Sequence, residues 1–263
     1  MRVIVTGANS GVGKATAAAL AAEGHSVVIA CRTIAKGEQA AAEIGGDVEV
    51  RHLDLADLAS VRAFADSVES VDVLVNNAGV MGMPLTRTAD GFEAHIGINH
   101  LGHFALTCLL GDRITDRVIS VASATYLFNR IHLDDLNWHS RKYAKWSAYG
   151  ESKLANLLFV AELAARGVRA YATDPGATDT DITRSLGMGE HRRIRRLLHT
   201  PAQGARATLQ AVTTDLPSGT YLAPRFNQIG PPKVTRPRPK ARDRATARRL
   251  WDASVALTGC DWG

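Results

Sequence analysis

Cysteine is scarce in this chain. Cys31, Cys108 and Cys260 lie far apart among 263 residues, an odd number that excludes a disulfide framework or a clustered zinc site. A reducing, cytoplasmic setting is the expectation. Long apolar runs are missing as well, and no stretch approaches the roughly 18 residues that read as a membrane span. Met1 stands directly before Val3-Ile4-Val5, so neither a signal peptide nor an amino-terminal membrane anchor is expected. There is no internal repeat and no inter-domain linker, which leaves residues 1–263 as one domain. Zinc-finger, RNP and helix-turn-helix patterns are absent, and nucleic acid is not an expected partner. His95, His100 and His103 share one region without carboxylates or cysteines at metal spacing, so no metal is expected and the three read as core or surface histidines.

What is present is ordinary for a globular protein: 46% hydrophobic and 22% charged residues, with enough chain for one large core. The net charge of +5 is gathered at His191-Arg192-Arg193-Ile194-Arg195-Arg196 and again from Lys233 to Arg249, which read as solvated helix faces and an exposed tail. Short apolar runs without polar alternation alternate with helical patterns. They mark buried parallel strands at Val3–Val5, Ser26–Cys31, Val48–Leu53, Val71–Val75, Arg117–Val121 and Val168–Ala172, and so a doubly wound α/β sheet with helices on both faces. Helices are expected through Ala22, to about Ile44, from Gly91 to Leu110, from about Ala148 to Ala165, and near Ala241 to Leu257. The proline-rich stretch Pro231–Lys240 reads as an extended arm before the last helix.

Chemistry-bearing residues gather where these strands end. After the first comes Gly7-Ala8-Asn9-Ser10-Gly11-Val12-Gly13, whose glycines let a backbone turn tightly and a pyrophosphate approach, while the following helix offers free N–H groups. The second strand ends at Arg32, with Lys36 one turn on. No carboxylate stands where an NAD site holds the ribose hydroxyls, and an arginine there pairs with a 2′-phosphate, so NADP(H) is the expected cofactor. Asp54-Leu55 ends the third strand. Asp54 is suited to bond an adenine amino group or to cap the helix beginning near Asp57. The fourth strand runs into Asn76-Asn77-Ala78-Gly79, a point of close backbone approach, and Ser123 follows the fifth. Tyr149 and Lys153 lie at i and i+4 on one helix face. A free tyrosine has a pKa of about 10, and a fixed ammonium beside it would lower that value toward the working range. Pro175-Gly176 and then Thr178 and Thr180 follow the sixth strand.

Taken together and in this order, the motifs resemble those of the short-chain dehydrogenase/reductase family. Thr6–Gly13 is similar to its TGxxxGxG loop, Asn76–Gly79 to its NNAG, and Asn99, Ser123, Tyr149 and Lys153 to its catalytic tetrad. Ile29-Ala30-Cys31-Arg32, Thr88–Glu93, Asn99–Phe104 and Ser152–Asn156 resemble the retinol-dehydrogenase-like branch. The matches span residues 6 to 180. The resemblance implies a single Rossmann-type domain of about seven strands and reversible hydride transfer between nicotinamide and the carbonyl/alcohol carbon of a lipophilic small molecule. In reduction Tyr149 would protonate the alkoxide and Ser123 would orient it. Lys153 would lower the Tyr149 pKa and hold the ribose, and Asn99 would position a water. Gly7, Asn9, Ser10, Gly11, Val12, Gly13, Asn77, Ala78 and Gly79 would line the cofactor. So would Pro175 and Gly176, with Thr178 and Thr180 at its carboxamide or phosphates. A substrate lid is implied at about 181–200, a basic arm at about 231–263, and a homodimer or homotetramer built on the Asn99 and Tyr149 helices. The competing readings are a non-catalytic NADP(H) sensor and a nucleotide-sugar epimerase or dehydratase. Tyr149→Phe is expected to retain NADPH binding and lose nearly all turnover, measured as cofactor oxidation; a variant that keeps its activity would remove Tyr149 from the chemistry.

Overall fold

A computed structural model describes residues 1–179, 198–226 and 228–262. Thr180 and the expected lid up to residue 197 lie outside the described residues. Seven strands run parallel: β1 (Arg2–Thr6), β2 (Ser26–Cys31), β3 (Val48–His52), β4 (Val71–Asn76), β5 (Ile114–Val121), β6 (Ala170–Thr173) and β7 (Tyr221–Pro224). An eighth, β8 (Pro232–Thr235), pairs antiparallel with β7, matching Leu222 to Val234. The sheet order is β3-β2-β1-β4-β5-β6-β7-β8, so the chain reverses direction across the sheet between β1 and β4, the switch point at which open α/β sheets place their ligands. Where about seven strands were expected, the sheet has eight among the described residues. The stretch read as a free arm supplies the last one, because prolines are admissible on an edge strand where few N–H groups need a partner.

Apolar residues on the two faces of each strand enter two separate cores. Ile4, Val28, Leu74 and Val118 face α3 (Leu58–Asp66), a helix at Gly102–Leu110 and a long helix at Lys145–Ala165. Val3, Val5, Val27, Ile29 and Val73 face α1 (Gly11–Ala22), α2 (Ile34–Ile44) and a helix at Pro201–Thr213. Burial on both faces is why the strands read as continuous apolar runs.

The helix expected over Gly91–Leu110 is broken into α4 (Ala94–Ile96), a π-turn at Gly97–Leu101 and α5 (Gly102–Leu110). Both glycines are there for space. A Cβ on Gly97 would come 2.6 Å from Thr88 Cγ2, and one on Gly102 would come 2.5 Å from the Leu55 carbonyl oxygen. Asn99 sits inside the π-turn, the kind of helix irregularity that often marks a functional position.

The long helix α6 (Lys145–Ala165) begins three residues before the expected Ala148. After α7 (Pro201–Thr213), the chain closes with α8 (Arg244–Thr258), and this helix lies across α5 and α6. Trp251 of α8 is 2% exposed. Its ring stacks 5.9 Å from Phe159 of α6 and meets Phe104 of α5 edge-on at 4.9 Å, with the Arg166 guanidinium 4.0 Å from its centroid. Ser254 Oγ adds a 3.0 Å bond to His100. The chain's own last helix thus covers α5 and α6 at Phe104, Phe159 and Arg166. Removing Trp251 would leave a large void between three helices. Trp251→Ala is expected to cost about 3–5 kcal/mol in urea unfolding, and a loss under about 1 kcal/mol would mean that α8 is not seated as described.

Candidate active site

One hydroxyl ties the switch point together. Thr6 Oγ1, at the end of β1, accepts the N–H groups of Asn77 and Ala78 beyond β4, both at 2.9 Å. Asn77 Nδ2 returns a 2.7 Å bond to the Thr6 carbonyl. His103 of α5 lies 2.8 Å from the same hydroxyl through Nε2, and its Nδ1 faces the Asn99 carbonyl at 3.1 Å. A carbonyl only accepts, so Nδ1 carries the proton and Nε2 receives the Thr6 hydroxyl. Burial pushes the His103 pKa down to about 3, which keeps the ring neutral in this role.

Around that hub the loop after β1 is shaped to receive phosphate. Gly7 and Gly11 hold φ of +66° and +55°. A Cβ on Gly13 would fall 2.4 Å from Asn77 Nδ2 and 2.6 Å from the Gly7 carbonyl oxygen. No side chain caps α1 at Ser10, so its first N–H groups and the positive end of its dipole point out of the loop. Asn9, Ser10 and Val12 are half-buried along this rim. Arg32 lies exposed just past β2 and Lys36 exposed on the first turn of α2. Asp54 Oδ1 accepts the Ala56 N–H at 2.9 Å, shaping the turn, while Asp57 caps α3. Leu55 is buried in the core, so only its backbone can meet a ligand. This donor set fits a dinucleotide.

The remaining predicted residues converge on the same sheet edge. Ser123 follows β5 and accepts the Thr125 N–H at 3.4 Å. Lys153 is 4% exposed; its Nζ donates to the Val121 carbonyl at 3.0 Å, a carbonyl shared with Asn156 Nδ2. The same Nζ is 5.8 Å from the Tyr149 ring centroid. The Asn99 side chain is fully engaged. Its Oδ1 takes the Val80 N–H at 2.8 Å, and its Nδ2 reaches the Val80 carbonyl and Ser152 Oγ. A Cβ on Gly79 would lie 3.0 Å from Asn99 Oδ1 and 3.6 Å from Lys153 Nζ. Glycine at this point thus lets the NNAG loop pass between them.

The electrostatics differ from expectation in one respect. Tyr149 is half-buried, and desolvation raises its phenol above the ordinary value, with the Asp174 charge adding to the rise and Ser123 opposing it. Lys153 does not bring the phenol down here, because its ammonium is turned to Val121. Burial draws the Lys153 pKa down to about 8, and Asp174 partly offsets that fall.

Beyond β6, Gly176 has φ of +70°, and a Cβ there would sit 2.4 Å from the Gln228 carbonyl oxygen. The Thr178 hydroxyl donates to the Pro175 carbonyl at 3.0 Å, and His199 Nδ1 lies 3.0 Å from the same atom. Two groups at the site were not legible as such. Asp174 is a buried side chain just beyond β6 that accepts the Gly176 N–H at 2.7 Å and the Tyr221 hydroxyl at 3.0 Å. The three histidines looked unpartnered. In fact His95 Nδ1 lies 2.7 Å from buried Glu93, which also takes the Tyr143 hydroxyl at 2.8 Å, and the His95 ring meets Tyr149 at 6.1 Å. Glu93 and His95 are two residues apart, a spacing without helical or metal meaning, so only the turn before α4 pairs them. Among the described residues no group of three or more potential ligands is placed to hold a metal. Thr6→Val would keep the shape and strip the acceptor from two N–H groups. It is expected to cost about 1–3 kcal/mol in chemical denaturation and to weaken nucleotide binding, read by cofactor fluorescence; unchanged values in both would show the hub to be dispensable.

Comparison with known proteins agrees with this geometry. A family model described as short chain dehydrogenase matches residues 1–133. Retinol dehydrogenase 12 of Mus musculus is 43% identical, over 99% of this chain and 87% of its own length. Retinol dehydrogenase 13 of Homo sapiens is 42% identical, over 98% and 85%. The crystal structure of an uncharacterized protein from Mycobacterium Paratuberculosis superposes with a TM-score of 0.88 at 46% identity, covering 100% of this chain and 94% of that one. With its eight-stranded sheet, its glycine loop at the switch point and these relatives, the chain belongs to the short-chain dehydrogenase family, in a retinol-dehydrogenase-like branch, and is accordingly an oxidoreductase of the alcohol–carbonyl pair.

Proposed function

We propose that the chain is an NADP(H)-dependent oxidoreductase that carries a hydride between nicotinamide and the carbonyl or alcohol carbon of a lipophilic small molecule. The observation that carries this reading is the convergence of Ser123, Tyr149, Lys153 and Asn99 on the sheet edge that also bears the glycine loop. The cofactor, when bound, supplies the hydride; the protein supplies position and protons. Arg32 and Lys36 support the phosphorylated cofactor. Both are exposed beyond the β2 end, and among the described residues no carboxylate forms an ion pair with either. Exposed Phe128 and Trp146 support a lipophilic substrate, since they flank Ser123 and Tyr149 in sequence, and Phe226 follows β7 at the same edge. The relatives' name, retinol dehydrogenase, points to an apolar alcohol as well.

In reduction, the Ser123 hydroxyl would hold the substrate oxygen and Tyr149 would give it a proton. A phenol raised by burial keeps its proton at neutral pH, which suits an acid and favours reduction as the direct reaction of this site. Acid catalysis of this kind is worth roughly 10²–10⁴-fold. Lys153 would hold the ribose hydroxyls as an ammonium. The Asn99 side chain is spent on Val80 and Ser152, so its part is to fix the helix bend and the NNAG loop. Any contact to a water would come from its backbone.

Oxidation of NADPH and NADH by a panel of lipophilic aldehydes and ketones tests the reading. NADPH should be preferred, and Arg32→Ala should erase at least about tenfold of that preference, or about 1.4 kcal/mol; equal use of both cofactors by the wild type would overturn it. Lys153 is protonated below its pKa of about 8, so reduction should hold steady near neutrality and decline as pH rises through that value. A profile flat across it would show that the ammonium is not required.

A further inference from the structure

His199 plays no part in the proton chemistry, yet both of its ring nitrogens have partners. It is 7% exposed and stands one residue before Thr200, the N-cap of α7. Nδ1 faces the Pro175 carbonyl at 3.0 Å, and Nε2 faces the Gly230 N–H at 2.9 Å. A carbonyl only accepts and an N–H only donates, so the ring is neutral with its proton on Nδ1. The backbone of His199 is tied to the same loop. Its N–H donates to the Ala177 carbonyl at 2.7 Å, and its carbonyl accepts the Asp179 N–H at 2.9 Å. From the other side, the Gln228 carbonyl accepts the Ala177 N–H at 2.9 Å. Residues 175–179 are thus clasped between His199 and the turn that joins β7 to β8. An apolar residue would fill the position before the N-cap equally well, and would make neither ring bond.

The clasped loop borders the crevice on two sides. It continues β6, whose Thr173 pairs with Val121 of β5 and accepts the Ala122 N–H at 2.7 Å, one residue before Ser123. It also meets the start of α1 through α7. A Cβ on Gly204 of α7 would come 2.7 Å from Thr178 Oγ1 and 3.1 Å from Val12 Cγ2. The loop therefore adjoins both the helix start offered to phosphate and the strand end that bears Ser123. With Arg32 and Lys36 beyond β2 and the glycine loop beyond β1, a dinucleotide crosses the sheet order β2-β1-β4-β5-β6 with its nicotinamide half toward Ser123 and this loop.

We propose that His199 is a positioning residue for the cofactor, whose Nδ1–H and Nε2 hold the Pro175–Thr178 loop as the wall along the nicotinamide half. This rests on the cofactor reading given above. The Thr178 hydroxyl joins the imidazole on the Pro175 carbonyl, also at 3.0 Å, so both lone pairs of that oxygen are used. The loop is fixed from one side by a ring and from the other by the β7–β8 turn, and the ring is the only side chain that bonds both.

Two ligands separate this role from a general loss of structure: NADPH, and adenosine 2′,5′-bisphosphate, which carries the adenosine half alone. In calorimetric titration His199→Leu, which loses both ring bonds, should bind NADPH about tenfold more weakly. Its affinity for the bisphosphate should stay within about twofold of the wild type. An equal loss for both ligands, or none for NADPH, overturns the proposal. His199→Asn can keep the donor to Pro175, and His199→Gln can keep the acceptor for Gly230. Each should bind NADPH better than His199→Leu does, and the failure of both to do so overturns it too. A check that needs no variant uses the wild type with nitrogen-15 in its histidine rings, the His199 ring being assigned through its backbone. The proton should be found on Nδ1, and the ring and the Gly230 amide should shift on adding NADPH but not on adding the bisphosphate. A proton on Nε2, or signals that NADPH leaves unmoved, overturns the proposal equally. A wild type that binds neither ligand removes the cofactor reading itself, whereas normal NADPH binding by His199→Leu removes only the role of His199.

Discussion

The fold turns on the Thr6 hydroxyl. Parallel strands β1 and β4 part at their carboxyl ends, since one connects onward through the glycine loop and the other through the NNAG loop. Two backbone N–H groups are left there without ladder partners, and Thr6 Oγ1 accepts both. Its proton goes to His103, which extends the tie to α5 and to the Asn99 carbonyl. Thr6, His103 and Asn99 are buried and Asn77 and Ala78 half-buried, and an unmade bond in such a place costs more than a made one contributes. The crevice between β1 and β4 is therefore held in register by polar groups that bond one another across it.

A second constraint is the low polarizability of the ground beneath the tetrad. Desolvation pushes Tyr149 up and Lys153 down, each toward its neutral form. Lys153 is not among the groups that set the Tyr149 phenol here, since its ammonium donates to the Val121 carbonyl. The groups that matter are set by what surrounds the helix carrying them as much as by their spacing along it.

The basic carboxyl-terminal segment turns out to be part of the architecture. Its strand β8 completes the sheet, and Lys240 Nζ donates to the carbonyls of Leu127 and Asn129 at 2.8 and 2.7 Å. The Arg238 N–H reaches the Tyr126 hydroxyl at 3.1 Å. These three bonds fasten the loop that follows Ser123. Trp251 then closes α8 over α5 and α6. Positive charge that looked like a solvated tail is thus partly used as a set of donors for backbone carbonyls of the loop beside the site.

The strands from β1 to β6, their parallel order and the strand-end positions of Gly7–Gly13, Asn77, Ser123 and Pro175-Gly176 were legible in the chain alone. Apolar runs without alternation and glycines at strand ends are local patterns. Tyr149 and Lys153 shared a face for the same reason, since helix geometry over four residues needs no tertiary context. The π-turn at Asn99, the eighth strand and the cover of α8 were not legible. Each depends on contacts between distant segments, such as Gly102 against Leu55 or Trp251 against Phe104. Asp174 is the clearest case. Its identity was in view from the start, but its burial and its bonds from Gly176 and Tyr221 exist only once β6 and β7 are packed, because burial is a property of the assembled site and not of any residue in it.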